Sequence, residues 1–314
     1  MTNVIFIIGP TAVGKTELGL LVAEALGNAE IISADSRQIY KFMDIGTAKP
    51  TPEELALIKH HFIDIKFPDE HYSAGKFGKE ARERIRALQE SGKRPIVVGG
   101  SGLYIRALVD GFFEKQIFDP SLKARLKEEM KQKGVHFLYR RLQQVDPDSA
   151  GKIHPNDGHR IVRALEVFEL TGEPLSKFQK QVAHKADFNP LFFGITRERN
   201  ELYEIIESRV DRMLKAGLVR EVEELKARGY DEALNSMQTV GYREVFDYFR
   251  GTIDYDEMVA LIKQHTRNYA KRQLTWFRKD QRVRWIHLHR NESAEKYTDE
   301  FLIWQEKQYC LNLP

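Results

Sequence analysis

One cysteine, Cys310, occurs in 314 residues. An intrachain disulfide is therefore excluded, and a reducing compartment is expected. No apolar run approaches the length of a membrane span. The apolar N-terminal stretch, Val4 to Ile8, is too short for a signal h-region and runs directly into a glycine-bearing loop. A cytoplasmic protein without a membrane partner is expected. Charge of one sign is not in excess: 49 Lys and Arg against 46 Asp and Glu leave a net charge of +3, so a partner must be read from local clusters. Internal repeats and low-complexity segments are also lacking. What remains is a soluble, globular composition, long enough for one large domain or two.

The organising stretch is Gly9-Pro10-Thr11-Ala12-Val13-Gly14-Lys15-Thr16. A strand-type run precedes it. After it, Leu18, Leu21, Val22 and Ala25 fall on one face of a helix. Strand, GxxxxGK[ST] loop and helix are the parts of a phosphate cradle. Backbone N–H groups and the helix N-terminus face a polyphosphate, Lys15 adds a point charge, and the Thr16 hydroxyl suits Mg²⁺. A di- or triphosphate ligand follows, ATP among the candidates.

A second strand, Glu30 to Ala34, leads into Asp35-Ser36-Arg37-Gln38-Ile39-Tyr40. Ligands of parallel sheets sit at the carboxyl ends of strands, which places Asp35 near the phosphates. Lys49, in the loop of residues 43–52, has the reach for a phosphate or a nucleic-acid backbone. The pair His60-His61 lacks a cysteine or a spaced third ligand and reads as structural. A helix should open near Ser73 and end near Ser91. The third strand, Arg94 to Val98, runs into Gly99-Gly100-Ser101-Gly102 and ends without an acidic residue. Many hydrolases of this loop class carry an aspartate there for Mg²⁺, so its absence argues against an ATPase motor.

Beyond Gly111 the pattern turns helical and basic, with Lys123, Arg125, Lys127, Lys131, Lys133, Arg140 and Arg141, interrupted at Gly134. A further helix is expected from His159, with Arg160 and Arg163 on one face and Ile161, Leu165 and Phe168 on another. Leu191 to Ile195 reads as a strand that rejoins the sheet. A single helix is expected over 199–228, with Arg209 and Arg212 beside its apolar stripe. Val240-Gly241-Tyr242-Arg243 turns into another helix. Residues 263–284 hold eight Lys and Arg against Asp280 alone, and Tyr269, Trp276, Phe277 and Trp285 lie among or beside them. Cations with interleaved aromatics suit RNA, although a solvated helix with a buried aromatic stripe reads the same way. Residues 286–314 carry no chemical signal.

Taken together, GPTAVGKT, SADSRQIY, MDIGTAKP, VGGSGLYIRAL, NDGHRIVRALEVF, VGYRE and RNYAKRQLTWFR resemble the bacterial tRNA dimethylallyltransferases, over about residues 4–285. The resemblance implies an α/β fold: a P-loop NTPase-like parallel-sheet core with an inserted helical tRNA-binding domain. The core is expected over 1–114 and 191–314, and the insertion over 115–190. It implies transfer of a dimethylallyl group from dimethylallyl diphosphate to N6 of adenosine at position 37, in the anticodon stem-loop of tRNAs reading codons that begin with U. By motif position, Gly9 to Thr16 would hold the diphosphate, with Mg²⁺ at Thr16. Asp35 would be the general base. Ser101, where the family usually has threonine, would help hold diphosphate or base. Arg209, rather than Arg212, would stabilise the diphosphate. Asp35, Ser36, Arg37, Gln38, His159, Arg160, Ile161, Val162, Arg163, Val240, Gly241, Tyr242 and Arg243 would meet tRNA. A monomer is expected. The rival readings are a small-molecule kinase, which shares the loop but needs no basic second half, and a nucleotide-gated RNA-binding protein, which has no use for Asp35.

Overall fold

The computed structural model describes residues 2–112, 117–180, 185–290, 292 and 294–311, with side chains through 303. Cys310 lies outside the residues whose side chains are described. The chain forms two compact units, 110–185 and the remainder. The expected limits, 115 and 190, lie five residues later at each end, because Ala186 N already bonds Val109 O and Asn189 N bonds Thr2 O.

The larger unit begins with β1 (Asn3–Ile8), α1 (Lys15–Leu26), β2 (Ala29–Ser33), α2 (Pro52–Leu57), β3 (His60–His61), α3 (Ala74–Glu90), β4 (Arg94–Gly99) and α4 (Gly102–Val109). The smaller unit holds α5 (Pro120–Lys133), α6 (Val135–Val145), α7 (Pro147–Ala150), α8 (Gly158–Thr171) and α9 (Leu175–Lys180). The larger unit then resumes with β5 (Asn189–Thr196), α10 (Arg199–Lys215), α11 (Leu218–Ala227), α12 (Tyr242–Phe249), α13 (Tyr255–Phe277), β6 (Arg284–His287) and α14 (Ala294–Leu311).

Among the described residues six strands form one parallel sheet in the order β3-β2-β4-β1-β5-β6. The central β1 registers Ile5 with Ile96 on one side and with Leu191 on the other. Its continuous apolar run is explained by burial on both faces. Val4, Phe6 and Ile8 enter one core with residues of α3, α4, α11, α12 and α13, and Ile5 and Ile7 enter the other with residues of α1, α10 and α14. Pleating imposes this alternation.

The expected helix over 199–228 is two. Gly217, at φ +103°, takes the left-handed conformation, ends the first and begins the second. Glycine tolerates that backbone at no steric cost, so the break lies where the sequence offers it. β6 and α14 were not foreshadowed. Arg284-Trp285-Ile286-His287 is a short edge strand that buries only Ile286 fully, too little alternation to read. His60 and His61 themselves form β3, and His61 Nε2 lies 2.6 Å from the buried Glu30 carboxylate, a structural pairing. No helix among the described residues is long and apolar enough to cross a membrane.

The smaller unit has its own core, including Leu126, Leu138, Leu142, Ile161, Leu165 and Phe178. Three of its five helices start at side-chain caps: Asp119 for α5, Asp146 for α7 and Asp157 for α8. Each carboxylate accepts backbone N–H groups that the first helical turn leaves unpaired.

Candidate active site

The phosphate loop lies between β1 and α1. Gly9, at φ +152°, leaves no room for a side chain, since a Cβ would sit 2.5 Å from Ile195 O. Gly14, at φ +108°, is the N-cap of α1, and no side chain caps that helix. The first N–H groups of α1 are therefore left to an external anion. Arg197 braces the loop from β5, donating from Nε to Val13 O at 3.0 Å. Lys15 folds back so that Nζ donates to Pro10 O at 2.5 Å. Burial and the Arg209 guanidinium pull the Lys15 ammonium down to about 7, and Asp35 opposes this. The pocket thus disfavours the charged form of a desolvated lysine, a penalty that a bound diphosphate would relieve. Arg209 is itself lowered, first by burial and then by Arg212. Arg212 lies on the exposed side and donates to Ser208 Oγ at 3.0 Å. Lys15, Arg209 and Asp35 are thereby brought into one electrostatic site.

The second wall comes from the ends of β2 and β4. One Asp35 carboxylate oxygen, Oδ1, accepts from the N–H groups of Arg37 at 2.8 Å and Gln38 at 3.4 Å. These bonds fix the carboxylate and turn the chain, so that Asp35 to Gln38 stay half-buried at the sheet edge. Ser101 Oγ accepts from Ser36 N at 2.9 Å and lies 3.2 Å from Ser36 Oγ, tying the two strand ends together. Tyr269 of α13 lies beside Ser101, and burial raises the Tyr269 phenol above its ordinary value. Gln38 turns inward: its Nε2 donates to Thr47 O at 3.3 Å and to Ala48 O at 3.0 Å. Arg37 reaches Asn235 O at 2.8 Å.

Several expected ligand contacts are instead internal. Tyr242 is fully buried, its hydroxyl donates to Glu221 at 2.6 Å, and its ring occupies the space a Cβ on Gly46 would need. Gly241 N donates to Glu244 at 2.6 Å, and Arg243 pairs with the same buried carboxylate. Val240 is half-buried beside them. Lys49, whose side chain is 5% exposed, pairs with Asp44 and Asp64 and donates to Tyr40 O, so it does not reach outward. In the smaller unit Ile161 and Val162 are core residues. Arg163 donates to Ile117 O and pairs with the buried Glu166. His159 and Arg160 are exposed, the latter 3.3 Å from Asp157. For Ile161, Val162 and Tyr242, packing excludes side-chain contact with an external partner.

The basic-aromatic stretch divides along α13. Phe277 is core, whereas Trp276 is 38% exposed. Lys263 and Arg267 pair with Asp211 and Glu207 of α10, and Arg282 pairs with Asp280. Lys271, Arg272, Arg278 and Lys279 are exposed. Two residues to which motif reading assigned no role are central. Glu221 accepts from the N–H groups of Asp44, Ile45 and Gly46, which anchors the whole MDIGTAKP loop. Gln273 joins Thr11 N to Gly100 O.

The IPP transferase family model matches residues 38–280. A tRNA dimethylallyltransferase of Carboxydothermus hydrogenoformans is 47% identical over 302 residues, covering 96% of each chain. That of Thermotoga maritima is 48% identical over 281 residues, covering 89% of this chain and 90% of the relative. Among solved structures, the tRNA isopentenylpyrophosphate transferase of Bacillus halodurans superposes with a TM-score of 0.72 at 37% identity, covering 99% of both chains. A eukaryotic dimethylallyltransferase acting on tRNA gives 0.80 at 26% identity, covering all of this chain and 81% of the other. A doubly flanked parallel sheet, an uncapped phosphate loop and near-full-length similarity agree, and the chain belongs to the IPP transferase family.

Proposed function

We infer that this protein transfers the dimethylallyl group of dimethylallyl diphosphate to N6 of adenosine at position 37 of tRNAs that read codons beginning with U, releasing diphosphate. The observation that carries the reading is the pairing of an uncapped phosphate loop with the Asp35 carboxylate across one site, with Lys15 subject to both Arg209 and Asp35. The relatives' shared name supplies the group and the acceptor.

An adenine amine is a weak nucleophile because its lone pair is delocalised into the ring. As its nitrogen bonds the allylic carbon, the carbon–oxygen bond to diphosphate breaks and the amine proton passes to Asp35. A well-placed base accelerates such a step by about 10²–10⁴-fold. The larger charge develops on the leaving diphosphate. The N–H groups at the start of α1, Lys15 and Arg209 face that charge in a partly desolvated pocket. The Thr16 hydroxyl offers a hard oxygen donor of the kind Mg²⁺ accepts beside phosphate oxygens; when bound there, the ion would neutralise diphosphate charge. Ser36, Ser101, Arg37 and the exposed cations of α13 are assigned to the tRNA. The target base leaves its stack at a cost of a few kcal/mol, which phosphate contacts offset.

The test supplies the protein with Mg²⁺, unmodified tRNA carrying A37, labelled dimethylallyl diphosphate and, in parallel, labelled ATP. Label in the tRNA is the expected result. Transfer of the ATP γ-phosphate to a small molecule, with unlabelled tRNA, would make the protein a kinase.

A further inference from the structure

Gln273 lies on α13 and is 7% exposed. A buried glutamine amide must have its donor and acceptor satisfied. Its Oε1 accepts from Thr11 N at 2.8 Å, and its Nε2 donates to Gly100 O at 2.9 Å. One side chain from a distant helix therefore joins the phosphate loop after β1 to the glycine loop after β4. The neighbours on the same helical face continue the contact. Tyr269 lies beside Ser101, and Trp276 fills the space a Cβ on Gly102 would need. Positions 269, 273 and 276 share a face at i, i+4 and i+7. Residues 100, 101 and 102 are thus met in turn. Gly100 has no room for a side chain: a Cβ would overlap Gln273 Nε2 and lie 3.1 Å from Gly9 O.

We propose that Gln273 is a positioning residue, which holds the phosphate loop in register with the Gly100–Gly102 loop and so sets the distance between the diphosphate and the acceptor wall of Asp35, Ser36 and Ser101. The chemistry selects an amide. It presents one acceptor and one donor on a planar fork. A carboxylate presents two acceptors and would set an oxygen against Gly100 O, and an aliphatic side chain presents neither. The inference rests on the transferase reading.

The test compares the full-length wild-type chain with Gln273→Glu and Gln273→Leu, measuring transfer to tRNA at several pH values. Gln273→Leu should lower kcat at least about tenfold at every pH, with the KM for tRNA changed less than about twofold. Gln273→Glu should show the same loss near pH 8 and recover relative to wild type as pH falls toward about 6, because a protonated carboxyl again offers one donor and one acceptor. A Gln273→Glu profile parallel to wild type, a loss confined to the KM for tRNA, or wild-type turnover in either variant would overturn the proposal. Should Gln273→Leu fail to fold, Gly100→Ala attacks the bridge from the other side. Its loss should deepen by less than about twofold when Gln273→Ala is added, since both break one connection; fully additive losses would also overturn it. A wild-type chain that transfers nothing would refute the transferase reading instead, so the two failures are separable.

Discussion

Titrating the phosphate site without a ligand isolates Lys15. Its ammonium titrates near 7, against an ordinary value of 10.5, first because it is buried and then because Arg209 repels it. A bound diphosphate favours the charged form, so its folded, liganded pKa is higher. The sign follows from linkage: ligand binding takes up a proton wherever pH lies between the two values. Near pH 8 about nine-tenths of the free protein would hold neutral Lys15, so binding pyrophosphate should consume close to one proton. Affinity should be level below pH 7 and fall about fiftyfold between pH 7 and pH 9, as the charged fraction drops from one half to roughly one hundredth. Pyrophosphate itself titrates within this window, so the Lys15 contribution is the wild-type curve minus that of Lys15→Ala. Calorimetry in two buffers of different ionisation enthalpy, repeated from pH 6.5 to 9, reads both quantities. Lys15→Ala should bind weakly and keep only the ligand's own pH dependence and proton balance. Uptake below about one fifth of a proton in the wild type would refute the account of a lysine stored neutral until phosphate arrives.

Asp35→Asn should lower kcat by about 10²–10⁴-fold and leave tRNA affinity within about threefold, as measured by single turnover and filter binding; near-normal turnover removes Asp35 as the base. Binding of tRNA should weaken steeply with salt, and Arg272→Ala should reduce the logarithmic slope by about one without changing pyrophosphate affinity; a salt-insensitive Kd would count against the exposed face of α13 as a phosphate contact. Glu221→Ala removes four hydrogen bonds to one carboxylate and should cost about 3 kcal/mol, seen as a lower urea midpoint. A midpoint equal to wild type would mean that the loop of residues 43–49 holds itself.

What the sequence makes legible is local. Strand, glycine loop and helix around Gly9 to Thr16 obey short-range geometry, and so does the start of α3 at Ser73. The central strands carry enough apolar residues to be seen without their partners. Legibility stops where a polar residue's task is set by distant backbone. Glu221 and Gln273 look like ordinary polar residues of amphipathic helices, yet each closes bonds to segments far away in the chain. The same blindness works in reverse at Lys49, Arg163 and Arg243. Lys49 reads as a cation with the reach for a phosphate, yet it is enclosed and matched by Asp44 and Asp64, whereas Arg163 and Arg243 pair with carboxylates three and one residues on. Tyr242 is the aromatic counterpart, a side chain that serves as packing against Gly46.

The hydrogen bond from Ala186 N to Val109 O has a consequence for how such a chain can be assembled. The helical unit of residues 110–185 follows α4 and precedes β5, where Val109 and Ala186 of the larger unit bond one another. No strand of the sheet and no residue of the phosphate loop belongs to it. In topological terms it is a detour, and a short turn from Val109 to Ala186 would preserve every strand neighbour. The insert can thus be exchanged, lengthened or pared as a cassette, while the catalytic scaffold retains its chain path.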